Sequence, residues 1–297
     1  MDRLDAMATF LAVLDEGGFS AASRRLGMPL ATVSRKVAEL EEHLGAPLLA
    51  RTTRHVAATD AGQAFAATAR RLIDELAEAE RQAAGEYATP RGLLVVAAPV
   101  VLGRAHLLPV LAGFLDAYPE VKVDLRLTQS DLNLVEEHLD VAITIGPSPD
   151  SALRQVNLGH IRPVVVASPD YLARHGTPLL PEALAAHQII SFAGHATPIA
   201  WEFQGGRRVA LRPRLCVTTA EAAADAAIAG MGVAQLLCHQ VSGAVGGGRL
   251  ATLLREHWGE PLPVQMVFAA GRTRPAKLRA FLDYVAPRLR PRLVFDP

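Results

Sequence analysis

The sequence predicts an α/β protein in three parts: a small helical unit over residues 1–58, one long helix with a hinge over 59–89, and two α/β lobes over 90–297. Three observations predict this. Apolar residues recur at helical spacing, with glycine stops, through the first part. No proline interrupts the helical pattern from Thr59 to about Tyr87. From Leu93 onward, strand and helix patterns alternate in βαβ order, which implies a mostly parallel sheet.

In the first part, Met7, Phe10, Leu11 and Leu14 mark a helix over Arg3 to Asp15 that Gly17 and Gly18 end. Ser20 reads as the N-cap of a short helix from Ala21 to Leu26, and Gly27 stops it. Pro29 suits the first turn of a third helix that runs to about Leu44, where no needed N–H is lost. Val33, Val37, Leu40 and Leu44 form its buried stripe. Ala31, Thr32 and Arg35 point away from that stripe, with Ser34 at its flank, while Glu39, Glu41 and Glu42 crowd the C-terminal half. Such a helix enters a major groove by its N-terminal end only, as the recognition helix of a helix-turn-helix does. The segment Pro47 to Thr59 reads as a two-stranded wing. Arg51, Thr52, Thr53 and Arg54 lie at its tip, within reach of phosphate or the minor groove. Charge supports this placement. The chain is neutral overall, yet Ser20 to His55 carries Arg24, Arg25, Arg35, Lys36, Arg51 and Arg54 against Glu39, Glu41 and Glu42.

The run FSAASRRLGMPLATVSRKVAELEEHLGAPLLARTTRHVAATDAG, Phe19 to Gly62, resembles the N-terminal domain of LysR-type transcriptional regulators. The resemblance continues through TPRGLLVVAAP, LLPVLAGFLDAYPEVKVDLRL, DVAITIG, ASPDYLARHGTP and AAIAGMGVAQL, so it covers nearly the whole chain. The chain departs from the family pattern at Pro29 and Leu30, where polar residues, often serine and glutamine, are usual. It departs again at Thr144, where the branch it most resembles often carries arginine. The resemblance implies a winged helix-turn-helix that binds an inverted-repeat operator in double-stranded DNA, a dimerising linker helix, and a C-terminal sensor for a small molecule. It also implies a homodimer or homotetramer.

Thr59 is a plausible N-cap for the long helix, with Asp60 at the positive end of its dipole. Phe65, Ala69, Leu72, Leu76, Ala79 and Ala83 step by heptad intervals, the pattern of a seam between paired helices. Phe65, Leu72 and Leu76 are its large side chains. A dimer built on it presents two recognition helices to the operator. Thr89, Pro90 and Arg91 read as a hinge.

In the C-terminal part, Leu93 to Ala97, Val121 to Leu127 and Val141 to Ile145 read as strands, and Leu107 to Leu115 and Leu132 to Leu139 as helices. Val164 to Ala167 begins a second lobe. By the resemblance, the strand Val264 to Ala269 and the helix Pro275 to Leu289 return to the first. This gives lobe I over 90–162 and 267–297 and lobe II over 163–266, an arrangement that resembles periplasmic binding proteins. Ligands in such sheets sit at the carboxyl ends of strands. The expected effector contacts are therefore Pro99, Val100 and Val101; Thr128, Gln129 and Ser130; Thr144 and Gly146; and, from lobe II, Phe203 and Thr219. Each has a plainer reading: Phe203 as core, Thr219 as a simple helix cap, Pro99 and Gly146 as strand-end turns. Hydroxyls and one amide in an apolar pocket suit a small carboxylate or aromatic acid.

The composition, 50% apolar and 20% charged, is that of a globular protein. The longest apolar run, Gly92 to Gly103, is about half a membrane span and contains Pro99. No signal-peptide pattern opens the chain, so a cytoplasmic location without membrane attachment is expected. Cys216 and Cys238 have no metal or redox spacing and read as small buried hydrophobes. There is no H-E-x-x-H, C-x-x-C or G-x-S-x-G motif, and Gly230-Met231-Gly232 follows a helix rather than joining a strand to one. Neither an enzyme nor a bound cofactor is expected. The alternative function is a small-molecule binding protein whose N-terminal helices only dimerise it.

Overall fold

The computed structural model describes residues 2–51, 56–83, 89–129, 134, 137–147, 153–192, 199–270 and 275–293. The chain divides into two compact units, Met1–Leu93 and Leu94–Pro297.

Unit 1 opens with α1 (Arg3–Asp15), whose Asp2 N-cap carboxylate accepts the N–H of Leu4 at 3.0 Å. Helix α2 (Phe19–Leu26) starts earlier than expected, and Gly18 rather than Ser20 is its N-cap. Phe19 packs against the unit core and so is drawn into the first turn, which leaves Ser20 exposed inside the helix. Gly27 stops the helix at φ +63°, a conformation natural only to residues without a Cβ. Pro29 is the cap of α3 (Leu30–Leu44) rather than its first residue, and its carbonyl accepts the N–H groups of Thr32 and Val33. Strands β1 (Leu49–Arg51) and β2 (Val56–Ala58) pair antiparallel, Leu49 opposite Ala58 and Arg51 opposite Val56, which makes the wing. Helix α4 (Asp60–Ala83) follows. Thr59 caps it by accepting the Gly62 N–H at 2.9 Å while its own hydroxyl donates to the Pro47 carbonyl. The glycine of the T-D-A-G run is required by packing: a Cβ on Gly62 would fall 1.9 Å from the Leu48 carbonyl oxygen. Phe10, Val13, Val33, Val37, Leu40, Leu48 and Ala69 fill the core.

Unit 2 contains two five-stranded sheets. The first is ordered β4-β3-β5-β14-β6, from β3 (Gly92–Pro99), β4 (Val121–Thr128), β5 (Val141–Ile145), β6 (Leu153–Ile161) and β14 (Leu262–Ala269). The second is ordered β11-β8-β12-β7-β13, from β7 (Pro163–Ala167), β8 (Ile189–Ser191), β11 (Pro213–Cys216), β12 (Val233–Leu237) and β13 (Ala251–Leu253). Strands β9 (Ile199–Phe203) and β10 (Arg207–Leu211) form a separate hairpin. The expectation of a mostly parallel sheet is corrected to two mixed sheets. Strand β3 runs parallel to β5, but β14 is antiparallel to both β5 and β6; β8 runs parallel to β11 and β12, but β7 is antiparallel to β12 and β13. The crossing strands enter each sheet from the other lobe and so run against its βαβ strands. Because β14 joins the first sheet from Leu262 onward, lobe II ends before that residue, not at 266.

Helix α5 (Val100–Leu102) passes through a π-turn, Gly103–Leu107, into α6 (Leu108–Ala117). This stretch is apolar enough by composition to cross a membrane. It serves instead as a core helix, with Leu102, Leu107, Leu111 and Phe114 buried in the lobe core. Helix α10 (Ala276–Leu289) packs against α6 through Phe281 and Phe114, ring centroids 5.4 Å apart. Lobe II carries α7 (Pro169–His175), α8 (Ala220–Ile228) and α9 (Cys238–Gly246). Cys238 is buried, and burial pushes its thiol pKa up; Cys216 is half-buried. Half of the helix expected over Leu132 to Leu139 lies outside the described residues.

Candidate DNA-binding and effector-binding sites

Helix α3 buries Val33, Val37 and Leu40 and turns its opposite face outward. Ala31 is exposed and Thr32 and Ser34 are half-buried. The Arg35 side chain is 70% exposed, and its only ion pair among the described residues is a loose 3.9 Å approach to Glu39 one turn on. An exposed pair of that kind contributes little, so Arg35 is available to a ligand. Thr52, Thr53 and Arg54 of the wing lie outside the described residues, as does the side chain of Arg51.

The basic surface counted from the sequence is smaller than expected. Lys36 is only 20% exposed because it forms an ion pair with Asp5 of α1. Arg25 is held by Glu16 at 3.1 Å, and Asp15 binds Arg70 of α4. These three cations tie the helices of the unit together. Arg24, Arg25 and Arg35 are the exposed arginines of α2 and α3. Glu41 also has a role that its sequence position did not suggest. Its carboxylate accepts the N–H groups of Leu48 at 2.7 Å and Leu49 at 3.0 Å, fixing the wing to α3.

The heptad seam divides in two. The Phe65 ring lies tilted against that of Phe10, centroids 5.9 Å apart, and Ala69 is fully buried in the core of unit 1. Phe65 is half-buried and packs against the core of its own unit. Leu72 and Leu76 face outward, each 39% exposed.

In unit 2, β4, β3 and β5 are neighbours, so Pro99, Thr128 and Thr144 end adjacent strands at one edge. Pro99 caps α5, Val100 is half-buried and Val101 buried. Gln129 is exposed, and Ser130 lies outside the described residues. Gly146 (φ +98°) ends β5 with its N–H on the Pro263 carbonyl. Thr219 caps α8, its hydroxyl accepting the Ala222 N–H at 3.1 Å. The two groups do meet: Arg104, in the π-turn after α5, bridges to Glu221 in the first turn of α8 at 3.4 Å. Phe203 is corrected to core. It is 2% exposed and packs with Trp201, Val209 and Leu211 in the hairpin cluster. A cavity of about 400 Å³ opens at the opposite, amino-terminal ends of β8, β11 and β12, lined by Tyr171, Arg174, Gln188, Arg214 and Met231; no expected ligand residue borders it.

Three features of this region had no signal in the sequence. Arg104 is one. The second is Gln265, which β14 places opposite Thr144; the Gln265 Oε1 and Thr144 Oγ1 atoms are both buried with no hydrogen-bond partner among the described residues. The third is the His106–His239 contact between the lobes, ring centroids 5.9 Å apart. Burial, then the neighbouring His106, lowers the His239 pKa to about 4. Burial and Arg292 lower that of His106.

Comparison with known proteins gives two family matches. Residues 4–63 match the bacterial regulatory helix-turn-helix protein, lysR family. Residues 88–290 match the LysR substrate binding domain. An HTH-type transcriptional regulator of Xanthomonas campestris pv. campestris is 36% identical, over 94% of this chain and 83% of the relative. The HTH-type transcriptional regulator CrgA of Neisseria meningitidis serogroup B is 34% identical over 96% of each. The solved structure of CrgA, a LysR-type transcriptional regulator, superposes with a TM-score of 0.62 at 32% identity, covering 96% of this chain and 98% of that one. The full-length Vibrio cholerae virulence activator AphB superposes with a TM-score of 0.60 at 26% identity, over 96% and 99%.

Proposed function

Since this chain belongs to the LysR family of DNA-binding transcriptional regulators with an effector-binding domain, we propose which residues carry each of its tasks. Arg35 contacts base or phosphate from α3, with Ala31, Thr32 and Ser34 beside it. Arg51, Thr52, Thr53 and Arg54 act from the wing. The observation that carries this reading is the 70% exposed Arg35 opposite a fully buried apolar stripe. One good bidentate contact is worth about 1–3 kcal/mol, so Arg35→Ala is expected to weaken operator binding roughly tenfold or more with the melting temperature unchanged. Binding titrations at fixed salt measure this. Wild-type affinity in the variant would mean that α3 does not enter the groove by this end.

A small effector, a carboxylate by class, binds where the ends of β3, β4 and β5 face the start of α8. Its contacts come from Pro99, Val100, Val101, Thr128, Gln129, Ser130, Thr144, Gly146 and Thr219. The Thr144 and Gln265 oxygens support a polar ligand here, since each recovered hydrogen bond contributes about 0.5–1.5 kcal/mol. Arg104 is the nearby cation, and a carboxylate would compete with Glu221 for it. An effector at a hundred times its dissociation constant stabilises the protein by about 2.7 kcal/mol. Thermal shift with a panel of small acids should find such a ligand, and Thr219→Trp should abolish the shift. A ligand that retains full affinity in Thr219→Trp binds elsewhere.

Leu72 and Leu76 pair with a second copy, so that two α3 helices meet an inverted-repeat operator, in a homodimer or homotetramer. The working divisions are residues 1–58 for DNA, 59–89 for pairing and the hinge, and the remainder for sensing. The protein acts in the cytoplasm without catalysis, as the relatives named transcriptional regulators suggest.

A further inference from the structure

We infer that Leu30 is a base-reading residue that recognises the 5-methyl group of a thymine in each half-site, an inference that rests on α3 entering the major groove as proposed above. Leu30 is the first residue of α3 and is 48% exposed, more than any other large apolar side chain described in unit 1. Among the described residues it belongs neither to the core of unit 1 nor to the apolar side chains packed against that core. The buried stripe of α3 begins at Val33, and Pro29 already fixes the start of the helix through its carbonyl bonds to Thr32 and Val33.

The chemistry of its surroundings narrows what Leu30 can read. Its exposed neighbour on the helix is Ala31, another apolar side chain. The cation one turn and a half further on, Lys36, is turned away to Asp5, and Arg25 of α2 is held by Glu16. The leading tip of α3 therefore offers no side-chain donor or acceptor before Thr32 and Ser34. A tip of leucine and alanine cannot hydrogen-bond to a base edge. The apolar feature that the major groove displays is the thymine C5 methyl, and contact with it is a recognised mode of direct readout. Leu30 sits one helical turn before Ser34, and Ala31 one turn before Arg35, so the methyl contact and the polar contacts share one end of the helix. Removing one methyl from a buried apolar contact corresponds to roughly a fourfold loss of affinity per half-site.

The test uses the full-length protein. Operator sequences are selected from random duplex DNA, and each thymine of the selected site is then replaced by deoxyuridine, which lacks only the methyl group. Affinities are measured for wild type, Leu30→Ala and Leu30→Met, with thermal unfolding as a control on folding. In the wild type, one thymine per half-site should lose roughly fourfold on replacement. Leu30→Ala should bind the thymine and deoxyuridine operators equally, and Leu30→Met should restore the difference. A selected operator that is insensitive to every replacement, or an Ala variant as sensitive as wild type, overturns the role of Leu30 and leaves the DNA-binding reading intact. Failure of the wild type to select any sequence overturns both.

Discussion

Leu72→Asp should give a smaller species in sedimentation, and its operator binding should fall to that of a single half-site. Leu72 and Leu76 are each 39% exposed on a 24-residue helix whose preceding turns are committed to their own unit. If a second copy covers them, the aspartate of each chain is taken out of water. Burying an unpaired polar group costs roughly 2–7 kcal/mol, and a charge costs more. With two-fold pairing the penalty is imposed twice. Folding of unit 1 should be unaffected, because its core draws on Phe65, Ala66 and Ala69 and not on Leu72. A variant that sediments as wild type and protects both half-sites would remove α4 as the pairing element.

Acidification between pH 6.5 and about 4 should destabilise unit 2 by about 3 kcal/mol through His239 alone. The ring is 4% exposed, and its pKa is lowered to about 4, first by burial and then by His106. The unfolded chain binds that proton near pH 6.5, and the folded protein resists it. The stability contributed by the neutral ring is therefore complete above pH 6.5 and is lost as pH falls towards 4. A separation of about 2.5 units at about 1.36 kcal/mol each sets the size. Thermal unfolding of wild type and His239→Phe across this range isolates the effect, because carboxylate titration is common to both. Identical pH slopes in the two proteins would show that His239 does not carry it.

The sequence by itself determined the order and type of most elements. Period and punctuation are local properties: the Val33, Val37, Leu40 stripe, the glycine stops at positions 17, 27 and 45, and the alternating strand β4 are written within a few residues of one another. The Thr59 cap and the exposed Arg35 follow from the same periodicity. What depends on partners distant in the chain was decided only by the tertiary structure. Lys36 reads as a groove cation until Asp5 of α1 takes it, and Phe65 as a seam residue until Phe10 covers it. Phe203 reads as a ligand wall until the hairpin closes over it. Strand β6 interleaves polar residues with apolar ones and gave no strand signal, yet it pairs along the whole of β14. The pairing of Gln265 with Thr144, the Arg104–Glu221 bridge and the His106–His239 contact join residues more than a hundred positions apart. Local periodicity specifies which face a residue presents; only the packing of elements specifies what that face meets.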